Sequence, residues 1–167
     1  MWSVLQEKFR NHPAQEKVIR LLLERGFQIN DKGRVVSGNI EIAHTQIAKE
    51  IGVDRRVVDA TCETILKDDQ LMAIFKNVRT IPFLRDVAPQ LGLGVIVIMP
   101  DNAAQKGLLG SVSSTVAEHG ISIRQAVSED PYLSENPKLT IITEGKVSGE
   151  LVSALTRIKG VQSVTVY

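Results

Sequence analysis

Two amphipathic helical patterns meet at a single glycine between Ile42 and Leu66, and this stretch constrains the fold more than any other part of the chain. Ala48, Gly52 and Val58 are spaced four and six residues apart. That spacing suits two crossing helices, with a small residue at the contact, a glycine able to adopt positive φ in the turn and an apolar anchor in the second helix. The pattern predicts a helix-turn-helix.

The second of these helices has basic residues at its start. Asp54 is a typical N-cap residue, which places Arg55 and Arg56 in the first turn. The first turn of a recognition helix is the part that meets base edges, so the motif indicates DNA binding. Asp59 and Glu63 follow on the same face, where Asp59 is spaced to pair with Arg55 and both carboxylates would repel phosphates.

The residues just before the motif have a β-type pattern. Phe27 and Ile29 alternate, residues 30–33 read as a turn, and short β-branched runs follow, so we expect a small hairpin or wing. Lys32 and Arg34 at its tip are candidate phosphate contacts, and a turn charged for solubility is the alternative. The predicted DNA-contacting residues are therefore Lys32, Arg34, Gln46, Lys49, Arg55 and Arg56.

Net charge limits how this chain can hold a polyanion. The whole sequence carries +1, with fourteen Lys or Arg against twelve Asp or Glu in residues 1–86, and six against seven in residues 87–167. Affinity for DNA must then come from the local placement of basic side chains, or from doubled contacts in a dimer that binds two half-sites. We therefore expect a homodimer or a higher even oligomer.

Strand and helix patterns alternate regularly in the second half. The apolar run at 95–98 is typical of a strand buried on both faces. The predicted elements are a strand at 95–98, a helix at 107–119, strands at 121–126 and 139–142, a helix at 148–158 and a strand at 161–167. The order βαββαβ predicts a ferredoxin-like sandwich of two helices on an antiparallel sheet.

Proline and glycine punctuate the region between the two halves, at Pro82, Pro89 and Gly92, which is typical of a connector. The predicted organisation is a winged helix-turn-helix-like domain at 1–79, a linker at 80–92 and a second domain at 93–167. The predicted fold class is α+β.

The loop after the strand at 95–98 ends at the start of a helix. Free backbone N–H groups and the helix dipole there favour an anion such as a carboxylate. Gly107 permits close approach and Asn102 adds an amide, while Ile121 and Ile123 of the next strand would wall the pocket. The alternative is that Asp101 and Asn102 only form a turn and cap the helix.

Residues 93–167 resemble an ACT domain, the small-molecule sensor of many proteins of amino-acid metabolism, in the strand, the Asp/Asn loop, the GLLG helix start and the GISI that leads the second strand. The resemblance implies that an amino acid binds between paired ACT domains, through the loop and helix start matched by Asn102, Ala103, Gly107 and Leu108. The whole chain, including VDRRVVDATCETIL and GISIRQAVSEDPYL, is similar to archaeal proteins predicted to regulate amino-acid metabolism through an N-terminal helix-turn-helix and a C-terminal ACT domain.

Signals of catalysis are weak. His12, His44 and His119 lie in unrelated predicted elements without metal-ligand spacing, and no Ser/His/Asp or Cys/His arrangement can be placed. The single cysteine, Cys62, shares the inward face of its helix and is predicted to be a buried structural thiol. We expect a non-enzyme without cofactor or metal.

Location follows from two further patterns. The longest nearly uncharged apolar run, at 91–100, is too short to span a bilayer, and residues 1–10 lack the order of a signal peptide. The sequence therefore predicts a cytoplasmic protein that has no membrane partner.

Three hypotheses of function remain. The first is an amino-acid-responsive transcriptional regulator, in which the ACT domain binds a small amino acid and modulates DNA binding by the helix-turn-helix. The second is a regulatory or adaptor subunit that does not bind DNA, but binds an amino acid and controls a metabolic enzyme. The third is a plain amino-acid-binding protein.

Overall fold

The structure is a computed structural model that describes residues 2–131 and 133–167. It is a mixed α+β protein with two antiparallel sheets. The chain divides into two compact units, Met1–Ile81 and Pro82–Tyr167. None of the helices in the described residues is long and apolar enough to cross a membrane.

The first unit is mostly helical, with one small sheet. Its elements are α1 (Trp2–Phe9), α2 (Pro13–Arg25), β1 (Gln28–Ile29), β2 (Val35–Ser37), β3 (Ile40–Glu41), α3 (His44–Ile51), α4 (Arg55–Leu66) and α5 (Asp69–Phe75). The apolar stripes of α2, α3, α4 and α5 meet in one core, in which Leu22, Val58, Ile65 and Phe75 are fully buried. Cys62 lies in this core, as predicted.

The helix pair α3 and α4 forms as the local signals predict. Gly52 ends α3 with a φ of 66°, in the left-handed region that glycine adopts at low cost. Asp54 caps α4, because its carboxylate accepts a hydrogen bond from the Arg56 N–H at 2.8 Å. Ala48 and Val58 are buried where the two helices pack. The predicted helices, turn glycine and N-cap are confirmed.

The small sheet, of order β1-β2-β3, contains the expected hairpin, because β1 pairs antiparallel with β2 on either side of the turn at 30–33. The turn at 30–33, which carries Lys32, is tied to α5, because Lys76 Nζ lies 2.7 Å from Asp31 Oδ1. Gln28 is buried in β1, where its amide donates to the Val78 carbonyl at 2.7 Å and accepts from the Gly38 N–H at 3.0 Å. Lys32 therefore lies exposed in the turn of this hairpin, and its neighbour Asp31 contacts Lys76 just past the end of α5.

The second unit has the element order βαββαβ. Its elements are β4 (Gly94–Pro100), α6 (Leu108–Glu118), β5 (Ile123–Ser128), β6 (Leu139–Thr143), α7 (Gly149–Thr156) and β7 (Val161–Val166). The sheet order is β5-β6-β4-β7, and every neighbouring pair is antiparallel. The second strand begins at Ile123, two residues later than predicted.

Strand β4 is buried on both faces, which confirms the prediction from its continuous apolar run. Ile96 and Ile98 face the helices α6 and α7, in a core with Ile141 and Leu155. Val95 and Val97 form a separate cluster with Ala88, Leu84 and Leu93 on the other face of the sheet. Part of the predicted linker thus packs on the sheet, with Ala88 fully buried.

Candidate functional site

A carboxylate on α4 links the beginnings of α3 and α4. Asp59 Oδ1 lies 2.6 Å from Nδ1 of His44, the first residue of α3, and Asp59 Oδ2 accepts a hydrogen bond from Arg55 Nε at 3.1 Å. The His44 side chain is 10% exposed, whereas that of Arg55 is 64% exposed. Asp59 therefore connects a buried imidazole with an outward guanidinium.

The ionisation of Asp59 determines which ring nitrogen of His44 carries a proton towards it. The hydrogen bond with His44 holds the pKa of Asp59 below its usual range, the hydrogen bond and charge of Arg55 lower it further, and partial burial opposes them. An ionised carboxylate only accepts hydrogen bonds, so His44 Nδ1 carries the proton and donates it. In the neutral ring Nε2 is then the acceptor, and it lies 3.8 Å from Cys62 Sγ.

Cys62, His44 and Asp59 are thus aligned, an arrangement that could not be placed from the sequence because the residues belong to two helices. No spacing in the sequence allowed this contact between Cys62 and His44 to be placed. Burial, aided by the Asp59 charge, raises the pKa of Cys62 to about 12, so the thiol stays protonated at neutral pH. A buried thiol in this state is a poor nucleophile. No group of three or more His, Cys, Asp or Glu in the described residues is arranged to hold a metal ion.

We expect Cys62 to react slowly in the folded chain. The thiolate is the reactive form, and because the folded pKa is raised, deprotonation at pH 8 is suppressed relative to the unfolded chain. Labelling with a disulfide reagent at pH 8 should be at least tenfold slower in native buffer than in denaturant. Equal rates in the two conditions would contradict the buried, protonated thiol.

Two predicted DNA-contacting residues from different elements come together. Arg34 and Arg55 line one cavity of about 270 Å³ with His44, Thr45 and Asp59. Each arginine has a carboxylate beside it: Arg34 Nε lies 3.7 Å from Glu41 Oε1, and Arg55 Nε lies 3.1 Å from Asp59 Oδ2. The cavity is therefore lined by two guanidinium groups that are each paired with a carboxylate, and both stay more than half exposed.

The other predicted DNA-contacting residues lie apart from that cavity. Arg56 lines a different cavity of about 400 Å³, formed with the α1–α2 connection at residues 11–15. Gln46 and Lys49 are exposed on α3, and Lys32 is exposed in the β1–β2 turn. Arg55 and Arg56 point to different surroundings, because adjacent positions on a helix are about 100° apart. Which residues surround each arginine depends on the neighbouring elements.

The predicted effector loop of the second unit forms a turn. Asn102 Oδ1 accepts a hydrogen bond from the Ala104 N–H at 2.9 Å, as the alternative interpretation anticipated. Two hydrogen bonds join the loop to the α7–β7 connection. Gln105 Nε2 donates to the Lys159 carbonyl at 3.0 Å, and the Asp101 N–H donates to the Gly160 carbonyl at 2.9 Å. Asp101, Asn102 and Ala103 thus lie beside the start of α6, where Gly107 caps the helix without a side-chain hydrogen bond.

Two further predicted ligand residues, Ile121 and Ile123, do not join this loop within one chain. Ile123 pairs with Thr143, which also pairs with Gly94, so Ile123 lies level with the beginning of β4. The loop follows the opposite end of β4, six residues from Gly94 to Pro100, which is about 20 Å along the strand at roughly 3.3 Å per residue. Both isoleucines pack against the helix–sheet core instead. The pocket expected from one copy of the chain is therefore not assembled.

Two residues on β5 have structural partners. Arg124 Nη1 lies 3.9 Å from Glu144 Oε1, and both side chains are exposed, so the two residues form a surface ion pair. Gln125 accepts from the Leu84 N–H at 3.0 Å and donates to the Pro82 carbonyl at 2.9 Å. Gln125 therefore holds the segment that enters the second unit, a role the sequence did not indicate.

No protein-family model matches this chain, and no curated protein matches it. Two solved structures align along most of its length. A crystal structure of PH0061 shares 13% identity, covering 92% of this chain and 88% of that chain with a TM-score of 0.29. PF0864, a transcriptional regulatory protein from Pyrococcus furiosus of the AsnC family, shares 12% identity, covering 92% and 85% with a TM-score of 0.31. Superpositions this loose carry no argument about fold or function.

Proposed function

We propose that the chain is an amino-acid-responsive transcriptional regulator, with a helix-turn-helix in the first unit and a ferredoxin-like ACT domain in the second. One observation carries the DNA-binding part of this proposal. Arg55, in the exposed first turn of α4, lines the same cavity as Arg34, which immediately precedes β2. A capped helix with arginines in its first turn is the form that enters a major groove, and a neighbouring arginine suits a phosphate.

The charges around the two arginines support a dimer as the DNA-binding form. Arg55 is balanced by Asp59 and Arg34 by Glu41, so a single copy presents few uncompensated cations to DNA. Two copies on half-sites one helical turn apart double the number of phosphate and base contacts. We therefore propose that a homodimer is the DNA-binding form.

The second unit supplies the proposed effector site. At the start of α6, the backbone N–H groups have no side-chain cap from Gly107, so a carboxylate can accept from them. The strand order β5-β6-β4-β7 supports the ACT-like arrangement. Because Ile121 and Ile123 lie at the other end of the sheet, an apolar wall from these residues has to come from a second copy. Dimer formation and amino-acid binding are then linked, and DNA must change the amino-acid affinity by the same factor as the amino acid changes the DNA affinity.

A second candidate function, an adaptor subunit that controls a metabolic enzyme, is favoured by a different observation. Phe83, Val87 and Leu91 follow one another at four-residue spacing before β4, and all three are at least 45% exposed. Exposed apolar groups that lie near one another mark protein contact surfaces. This candidate predicts amino-acid binding without DNA binding.

DNA retention tests the leading proposal. We expect the full chain to shift duplex DNA fragments at low salt, and the double variant Arg55→Ala, Arg56→Ala to bind roughly tenfold or more weakly, since base and phosphate contacts are lost. The melting temperature should change little, because both side chains are exposed. Arg157→Ala with Lys159→Ala removes the same charge from the second unit and should retain binding. Absence of DNA binding by the unmodified chain would sink the regulator proposal and leave the adaptor.

A thermal-shift screen of the twenty amino acids, run on the same protein, tests the effector part. A ligand that binds only the folded state stabilises it by roughly 2.7 kcal/mol at a hundred times its Kd, which raises the melting temperature by several degrees. The stabilising amino acid should also change the DNA affinity. If no amino acid shifts the melting temperature, the effector claim fails independently of the DNA result.

A further inference from the structure

Each carboxylate oxygen of Asp59 contacts a residue of a different helix, His44 of α3 and Arg55 of α4. Oδ1 faces Nδ1 of His44 at 2.6 Å and Oδ2 accepts from Arg55 Nε at 3.1 Å. The imidazole is nearly enclosed and has Cys62 Sγ on its far side at 3.8 Å. The nearly enclosed His44 therefore fixes the Asp59 carboxylate on its inner side, and the carboxylate in turn holds the exposed Arg55 by its Nε.

This contact determines which part of Arg55 remains available. A guanidinium is planar and carries five N–H donors. A hydrogen bond from Nε to Asp59 therefore restricts the plane and leaves the outer edge, where Nη1 and Nη2 present two parallel N–H groups, unused by Asp59. Two parallel terminal donors match the O6 and N7 acceptors of guanine in the major groove. A phosphate can accept the same pair of donors, so the choice of guanine rests on the position of Arg55 in the first turn of α4, the part of a recognition helix that meets base edges.

We propose that Asp59 is a positioning residue that presents the terminal amino groups of Arg55 to a guanine in the major groove. This inference rests on the proposed DNA-binding function and names the base class that α4 reads. Arg56 serves as the comparison within the chain, because among the ion pairs of the described residues Arg56 takes part in none. Arg56 is accordingly assigned to sequence-independent phosphate contact.

Simple electrostatics and the positioning proposal predict different effects of Asp59→Asn, one on the overall DNA affinity and the other on the base preference. If Asp59 only repels phosphates, Asp59→Asn strengthens DNA binding, as the removal of any nearby negative charge does. If Asp59 positions Arg55, Asp59→Asn weakens the choice of guanine. Glu63 is the matched control, since it lies on the same helix, is exposed and pairs with Lys67 at 3.5 Å in the same i,i+4 spacing.

The experiment selects duplexes from a randomised pool with the full chain, then measures affinities of the preferred site and its single-base variants at several salt concentrations. The unmodified chain should prefer guanine at one position of each half-site. Arg55→Ala and Asp59→Asn should each reduce the preference at that position roughly tenfold, Asp59→Glu should restore part of it, and 7-deazaguanine at that position should mimic the loss. Glu63→Gln should tighten binding to all sequences equally, and Arg56→Ala should weaken it equally and lower the salt dependence.

Three outcomes separate the claims. Tighter binding with unchanged base preference in Asp59→Asn, as in Glu63→Gln, would overturn the positioning role. Because Asp59→Asn also loosens the His44 contact, the same substitution is made in the Arg55→Ala background. There it should reduce the guanine preference no further, and an equal further reduction would overturn the proposal, because the effect would then not pass through Arg55. If the unmodified chain binds no DNA at all, the proposed function fails, which is a different result from DNA binding that is indifferent to Asp59.

Discussion

Gly26→Ala is expected to destabilise the first unit by about 2 to 5 kcal/mol, the sum of a left-handed backbone penalty and an overpacking cost. Gly26 ends α2 with a φ of 62°, a conformation in which a Cβ is strained. An added Cβ would also lie 2.5 Å from Thr80 N and 2.7 Å from the Arg79 carbonyl carbon. These are backbone atoms and cannot rotate away, so the melting temperature should fall by roughly 10 °C or more.

Gly52→Ala is the matched control for this substitution. Gly52 ends α3 with a φ of 66°, and nothing lies within 4 Å of a Cβ added there. Only the left-handed penalty applies, so we expect a loss of about 1 to 2 kcal/mol. Urea unfolding of the two variants measures the difference, which isolates the contact with residues 79 and 80. Equal losses would mean that this segment moves aside without cost.

Gly94→Ala should destabilise the second unit by about 2 to 4 kcal/mol. A Cβ on Gly94 would lie 2.5 Å from Thr143 Oγ1 and 2.6 Å from the Gly145 carbonyl oxygen. The Thr143 hydroxyl donates to that same carbonyl at 3.1 Å, so the new methyl group displaces a buried hydrogen bond as well as overpacking the end of β4 and β6. Thermal and urea unfolding followed by circular dichroism measure the loss.

Gly110→Ala provides a comparison of opposite sign in the same unit. Gly110 lies within α6, and nothing lies within 4 Å of a Cβ added there. Alanine is the better helix former and restricts the unfolded chain, so we expect a gain of about 0.5 to 1 kcal/mol. A loss of stability in both variants would contradict the argument, because the sign would then not depend on the surrounding atoms.

Local sequence signals were sufficient for much of the backbone. The stop at Gly26, the turn at Gly52 and the cap at Asp54 depend on residues close in sequence, because φ preference and side-chain capping act over one helical turn. The burial of β4 on both faces was also predictable, since a continuous apolar run has no polar side to expose to water.

Positions of the candidate site residues were harder to predict. Arg34 and Arg55 are separated by two strands and a helix, and their shared cavity depends on how the small sheet packs on α4. Ile121 and Ile123 were placed near the effector loop by chain order alone, whereas strand pairing puts them at the other end of the sheet. Register depends on many long-range contacts, which a motif does not contain.

The sequence by itself determined the helix pair between Ile42 and Leu66, its glycine turn and the arginines at the start of its second helix, because each depends on interactions within a few residues. Only the tertiary structure decided what surrounds those arginines. The i,i+4 spacing had predicted that Asp59 pairs with Arg55, as it does, whereas the contact of Asp59 with His44 had no signal in the sequence. His44 and Asp59 are fifteen residues apart on different helices, and a hydrogen bond between them exists only after the two helices pack and exclude water from the imidazole.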